Sequence, residues 1–461
     1  MRSYLSPLDA TFLEIEEEDR SAHMQLGWAM VFDPMPGRRK PSLERLQRQV
    51  EGRLEGFSVL RRHLSTPRVE ALSLPVWLPD PDFEVGHQIR RAILPQPGGE
   101  EQLTRWLGDY YSVRLDRSRP LWEVVLLEGL EGGRWALAIK VHHCLVDGLS
   151  AANVVAALLD AEPEPEAGRT MLADLISSLG KESELGVLNR MRGVVGEGIG
   201  GGTDAAVKPH EVAEILSQSR AIAEALAGSE PDLAPRTSLN EGTGAKRWLA
   251  GVDVPLEEVK RVSAEHGGTV NDVVMTATAG GLRRLFEARG EEVERLRAVV
   301  LATLDHSTEM LVSGDASSLF VDMEVGEPDS VLRYLKMVAG SRERRRDGTV
   351  PGADTVTGLT RLTPALVQSV IARLAFTPRL FNLTVANVPA FPLPLYALGA
   401  ELRRIVPAVP LFSGQSLGVA AVGYNGRVYF GLNADPDTVP DLALVGDGIT
   451  ETLHSLSRVA A

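Results

Sequence analysis

The segment His142-His143-Cys144-Leu145-Val146-Asp147-Gly148 brings together a base, a carboxylate four residues after it and a glycine bend. Imidazole titrates near neutrality, so a histidine placed here can take a proton from a hydroxyl without being permanently charged. That chemistry suits transfer of a group to an alcohol or amine. A lone histidine beside a strand is ordinarily a packed core or surface residue. Two adjacent histidines followed by an aspartate and a glycine, between a strand and a helix, favour a reactive site. Asp147 orients the loop, because an ionised carboxylate is a poor base at neutral pH and a good hydrogen-bond anchor. Gly148 permits the bend, where a β-carbon would crowd the site. His143 and Asp147 would share a face if helical, but Asp-Gly favours a turn, and Cys144 is the only cysteine, so no metal is expected.

The flanking elements would hold this segment rigidly. Trp135 to Val141 alternates as a strand, and Leu149 to Val155 reads as a helix start. Further on, Leu256 to Glu265 and Val273 to Phe286 carry helical spacing, which puts Asn271 and Asp272 at a helix start, where asparagine caps well. Trp122, after Pro120-Leu121, reads as a core anchor opening a strand rather than as a substrate contact. From Glu162 to Gly202 the chain loosens into Glu-Pro and Gly-rich stretches, which marks the connector between two lobes.

Composition bounds the function. The 461 residues, 44% hydrophobic and 24% charged, can bury one large core or two moderate ones. A formal net charge of −14 argues against nucleic-acid binding. One cysteine precludes an intrachain disulfide and suits a reducing cytoplasm. Glu14 to Asp19 is acidic where a signal peptide needs an apolar core, and no apolar run reaches spanning length, so any membrane contact is expected to be peripheral. Gly196, Gly198 and Gly201 satisfy GxGxxG, but with no strand before them they do not predict a dinucleotide site. Gly414-Gln415-Ser416-Leu417-Gly418 fits the elbow of serine hydrolases, with His454 downstream; against this, Leu417 to Val422, Asn425-Gly426 and Val428 to Leu432 read as a hairpin. The run Arg342-Glu343-Arg344-Arg345-Arg346 reads first as a solvated helix face and second as a contact for CoA phosphates or anionic lipid heads.

Several motifs together resemble the wax ester synthase/acyl-CoA:diacylglycerol acyltransferase family. They are Leu5-Ser6-Pro7-Leu8-Asp9-Ala10-Thr11-Phe12-Leu13 with His23-Met24, Asp116-Arg117-Ser118-Arg119-Pro120-Leu121-Trp122-Glu123, Glu128 to Gly133, HHCLVDG, Leu239-Asn240, and Gly267 to Val274 with its Asn271-Asp272 pair. Asn387-Val388-Pro389, Tyr424-Asn425-Gly426 and Val439-Pro440-Asp441 are similar to the family's carboxy-terminal half. HHxxxDG alone is shared with condensation domains of peptide synthetases and other CoA-dependent acyltransferases; the Pro-Leu-Trp and Asn-Asp motifs narrow the assignment.

The resemblance implies an α/β (α+β) fold of two chloramphenicol-acetyltransferase-like lobes with mixed sheets, joined by a crossover linker around a tunnel. It implies an amino-terminal lobe at 1–190 with HHxxxDG, a linker at 191–240 and a carboxy-terminal lobe at 241–461 with Asn-Asp. The implied substrates are an acyl-CoA and a long-chain alcohol or diacylglycerol, with CoA thioester as substrate and no cofactor. His143 would act as general base with His142 supporting it and without an acyl-enzyme, Asn271 would donate to the substrate carbonyl oxygen, and Asp272 would support it. Hydrophobic substrates place the expected protein in the cytoplasm, peripheral to the inner membrane face or to lipid droplets. A serine hydrolase using Ser416 and a non-catalytic lipid-binding relative are the alternatives. Where the family has Pro-Val-Ser-x-Arg after Arg297-Ala298-Val299-Val300, this chain has Leu301-Ala302-Thr303-Leu304-Asp305, and an aspartate there would repel Asp147 if the two were close.

Overall fold

The computed structural model describes residues 3–5, 7–54, 57–65, 75–145, 154–155, 157–164, 233–302, 320–347, 380–391 and 393–459. The strands are β1 (Ser3–Tyr4), β2 (Gln25–Phe32), β3 (Arg62–Ser65), β4 (Val76–Pro79), β5 (Ile89–Ile93), β6 (Trp122–Glu128) and β7 (Trp135–His142). There follow β8 (Trp248–Pro255), β9 (Arg295–Ala302), β10 (Phe320–Glu324), β11 (Leu383–Phe391), β12 (Tyr396–Ala397), β13 (Ala400–Ala408), β14 (Leu417–Tyr424) and β15 (Arg427–Ala434).

Two six-stranded mixed sheets form two lobes, ordered β12-β13-β2-β7-β6-β5 and β10-β9-β11-β14-β15-β8, with a small β1-β4-β3 sheet beside the first. Parallel pairing is confined to β5–β6 in the first sheet, and to β9–β11 and β11–β14 in the second. Each lobe has its own apolar core. Trp135, Leu137, Ile139 and Val141 point from one face of β7 into the first, as the period of two in that strand dictates. The other core lies between the second sheet and the helices Val270–Arg289 and Ala443–Val459.

Chain order and spatial order part company at β13. This strand comes from the carboxy-terminal half, yet it pairs antiparallel with β2 and extends the first sheet, passing across β14 and β15. Glycines make the crossing possible: a β-carbon on Gly431 would lie 1.7 Å from the Pro407 carbonyl oxygen, and one on Gly418 would lie 2.7 Å from Val409 Cγ2. The boundary at residue 241 follows the sequence, whereas residues 396–408 sit in the other lobe's sheet.

The expected strand before the histidines is β7, and Trp122 opens β6 with its indole buried and donating to the Leu60 carbonyl at 2.8 Å. The hairpin is present: β14 and β15 are joined through Asn425 (φ 44°) and Gly426 (φ 78°), the paired positive φ of a tight hairpin turn. The helix expected from Leu256 runs Leu256–His266. Most of the connector, the Gly196–Gly201 motif, the helical stretch after Val146 up to Asn153 and Asp305 lie outside the described residues. The connector's last turn, Ser238–Asn240, is described and fastened to the second lobe. There Asn240 Nδ2 donates to the carbonyls of Asn382 and Gly414, at 3.1 and 3.0 Å.

Candidate active site

His142 is the last residue of β7, paired with Gln25 of β2, and His143 begins the single turn His143–Leu145. The segments leading into β6 and β2 hold the turn on both sides, because the His142 N–H donates to the Leu121 carbonyl at 2.9 Å and the His143 N–H to the Met24 carbonyl at 2.7 Å. Leu121 belongs to the Pro-Leu-Trp motif and Met24 to the His-Met pair, so motifs far apart in sequence converge on one turn.

The His143 ring is half-buried and lies against Phe12, with ring centroids 4.0 Å apart and planes inclined by 38°. Phe12 packs in turn with Phe412, Phe381 and Val299, the last from β9 of the second sheet. His143 therefore stands where the two lobes meet. Burial, followed by the neighbouring His142, lowers its pKa from the ordinary 6.5 to about 4, so the ring is neutral at physiological pH. Its Nδ1 is buried and has no hydrogen-bond partner among the described residues. Asp147 and Gly148 lie outside those residues.

His142 is buried, and its two nitrogens face different groups. The Cys144 N–H donates to Nδ1 at 3.2 Å, while Nε2 faces Glu16 Oε2 at 3.5 Å. Glu16 sits near the end of the helix Pro7–Glu18 and is 2% exposed. Burial alone would raise its carboxyl; His142 and then Arg117 outweigh burial and bring it to about 2. Arg117 Nη2 reaches Glu16 Oε2 at 2.7 Å and the Leu13 carbonyl at 2.9 Å, placing a cation at the helix's negative end. Sequence reasoning missed Glu16, which looked like one more acid in the run Glu14 to Asp19. The signal was a carboxylate one helical turn after Phe12, on the same face.

The face of β7 that carries His142 also carries Lys140, 1% exposed. Its ammonium pairs with Glu123 at 2.5 Å, donates to the carbonyls of Tyr110 and Val113 at 3.1 and 2.8 Å, and lies over the Tyr110 ring. Burial depresses this lysine, Glu123 opposes the shift, and the partners engage the ammonium fully. It is a brace between strand and helix.

Asn271 is not the helix cap expected from its position. The helix Val270–Arg289 is capped by Thr269, whose hydroxyl accepts from the Asp272 N–H at 3.2 Å, while Asp272 Oδ2 accepts from the Thr269 N–H at 2.8 Å. This reciprocal box uses up Asp272 and leaves Asn271 inside the first turn. The Asn271 Oδ1 accepts from Asn387 Nδ2 of β11 at 3.4 Å, so its own amide N–H₂ points elsewhere. No hydrogen bond joins Asn271 to His143 among the described residues.

Ser416 is no hydrolytic nucleophile. It is 0% exposed, its hydroxyl donates to the Gly242 carbonyl at 2.8 Å, and a strand, β14, follows it where an elbow requires a helix. Gly418 of that motif serves the β13 crossing, and His454 is exposed on the outer side of the last helix. No cluster of three or more metal-binding side chains occurs among the described residues. No described helix is long and apolar enough to cross a membrane.

Comparison with known proteins converges on one family. The wax ester synthase/diacylglycerol acyltransferase catalytic domain matches residues 5–274, and the family's C-terminal domain matches residues 315–457. A probable diacylglycerol O-acyltransferase of Mycobacterium tuberculosis is 28% identical over 99% of this chain and 96% of its own length. The structure of a wax ester synthase/diacylglycerol acyltransferase from Marinobacter aquaeolei superposes with a TM-score of 0.68 at 25% identity, covering 99% of this chain and 100% of that one. The first condensation domain of the calcium-dependent antibiotic synthetase shares the fold, with a TM-score of 0.54 at 14% identity over 100% and 98% of the two chains.

Proposed function

The chain belongs to the wax ester synthase/diacylglycerol acyltransferase family and is an acyltransferase, and on that premise we propose that it moves a long-chain acyl group from acyl-CoA to a diacylglycerol or a long-chain alcohol. His143 is the general base. The observation that carries this reading is the His143 ring at the lobe seam, neutral through burial and packed against Phe12, with its backbone N–H held by the carbonyl of Met24, the residue that leads into β2.

The acceptor hydroxyl gives its proton to His143 Nε2 as its oxygen attacks the thioester carbonyl carbon. The tetrahedral intermediate then expels the CoA sulfur, which takes the same proton back from the imidazolium. The products are an ester and free CoA thiol, without an acyl-enzyme or a cofactor. Burial that keeps the ring neutral also makes its cationic form costly, so proton transfer must coincide with negative charge developing on the carbonyl oxygen. Asn271 supplies a donor for that charge, since Asn387 occupies its amide oxygen and leaves the N–H₂ available. The reacting groups meet in a tunnel between the lobes, acyl-CoA entering from one side and the acceptor from the other, at an enzyme peripheral to a membrane or lipid droplet.

General base catalysis supplies about 10²–10⁴-fold and one oxyanion donor about 10²–10³-fold, so alignment of the two substrates must provide much of the remainder. The test is release of CoA thiol from a long-chain acyl-CoA, with and without hexadecanol or diacylglycerol. The acceptor is expected to accelerate thiol release and to appear as ester. Thiol release independent of acceptor would refute transfer.

A further inference from the structure

The two histidines are gripped by one face of the amino-terminal helix. Phe12 lies on His143 and Glu16, one turn later, faces His142. Glu16 also reaches His143 by a second route: its Oε1 accepts the Met24 N–H at 3.2 Å, and the same residue's carbonyl accepts the His143 N–H at 2.7 Å. The carboxylate thus faces the residue before the base and holds the backbone of Met24, which leads into β2.

We propose that Glu16 is a positioning residue for acyl transfer, setting the tautomer of His142 and through it the placement of the His143 turn. The proposal rests on His143 being the base. Two groups of Cys144 meet His142 Nδ1, the backbone N–H at 3.2 Å and Sγ at 2.9 Å; the N–H donation requires a lone pair on Nδ1, which puts the ring hydrogen on Nε2, the nitrogen that faces Glu16 at 3.5 Å. The hydrogen bonds to the Glu16 oxygens all come from donors, the Met24 N–H and the Arg117 Nε–H and Nη2–H, while His142 Nε2 stands 3.5 Å from Oε2 without a formed hydrogen bond. Only an ionised carboxylate, which accepts and never donates, satisfies them all.

Arg117 keeps the carboxylate ionised and aimed. It binds Glu16 Oε2 through two nitrogens, at 3.1 and 2.7 Å, and spends a third on Glu17 Oε1 at 2.7 Å. This gives Arg117 of the Asp116-Arg117-Ser118-Arg119-Pro120-Leu121-Trp122 motif a task. The motif's Leu121 carbonyl receives the His142 N–H while its arginine fixes the group that faces the His142 side chain.

Glu16→Gln tests the inference, since it keeps the shape and turns an NH₂ toward a ring of donors. The expected result is a kcat lower by about 10- to 100-fold with KM for acyl-CoA within about twofold, as for outer partners that orient a histidine elsewhere. The ¹⁵N spectrum of histidine-labelled protein should show the His142 Nε2–H tautomer in the wild type and its loss in the variant. Glu16→Asp, which restores a carboxylate, should recover part of both signals. If Glu16→Gln does not fold, Arg117→Lys takes its place, keeping the charge while removing the fork; a several-fold lower kcat at unchanged KM is expected. Wild-type kcat in the substituted protein, or an unchanged His142 tautomer, overturns the proposal. The spectrum reads His142 whether or not acyl transfer occurs, so an inactive wild type would defeat the functional reading alone.

Discussion

The Phe12 and His143 rings pack with their centroids 4.0 Å apart and their planes inclined by 38°, and the phenyl ring is in turn embedded in side chains from the second lobe. The base is therefore supported by packing that only the assembled molecule supplies. Phe12→Ala should cost about 3–5 kcal/mol of stability, the usual penalty for emptying a buried aromatic site. Phe12→Leu should cost less and still lower kcat, because the ring that flanks the imidazole is gone. Thermal unfolding and CoA release in the same preparation separate the two effects.

The acid limb of activity should lie well below that of free imidazole. A base must be unprotonated, and His143 folds with its pKa near 4 instead of 6.5. The rate constant kcat/KM should hold level from pH 8 to about 5 and fall only near pH 4, measured in short assays. A limb centred at 6.5 would mean that the ring is hydrated in the free enzyme.

Stability should respond to acid in two stages. His23 is pushed to about 4 by burial and then by Arg247, as His143 is to about 4 by burial and then by His142. Both pKa values lie below their unfolded value, so their stabilising effect is whole above pH 6.5 and is lost as pH falls from 6.5 to 4. Glu16, folded near 2 against 4.5 unfolded, adds a loss between pH 4.5 and 2. The melting temperature should be steady above pH 7 and decline below 6.5. His23→Gln should flatten the upper part of that decline.

Asn271 and Thr269 should part company when substituted. Asn271→Ala removes the proposed oxyanion donor and is expected to lower kcat by about 10²–10³ with little change in melting temperature. Thr269→Ala removes the cap and should cost about 0.5–2 kcal/mol of stability with a smaller effect on kcat. Ser416→Ala should leave acyl transfer in place, since that hydroxyl is buried on the Gly242 carbonyl.

What the sequence made legible was local. The strand before the histidines and the Asn425-Gly426 hairpin follow from alternation and from two residues that tolerate positive φ, and both are where the pattern put them. Apolar spacing starts this helix at Val273 and the helix begins at Val270, because Val270 and Asn271 are indifferent helix formers and the cap is set by a reciprocal bond between Thr269 and Asp272. Glu16 and β13 were illegible for a different reason. The carboxylate is chosen by Arg117, a hundred residues further on, and β13 is admitted by glycines in two other strands, β14 and β15. Such relations exist only once distant segments meet.

The central claim is that the His143 imidazole carries the proton from acceptor to CoA sulfur. The most direct measurement compares wild type with His143→Ala for single-turnover ester formation at saturating acyl-CoA and acceptor, with acyl-CoA binding measured separately. The account predicts a rate lower by about 10²–10⁴ with binding retained within a few-fold. Ester formation at the wild-type rate in the folded variant would contradict it.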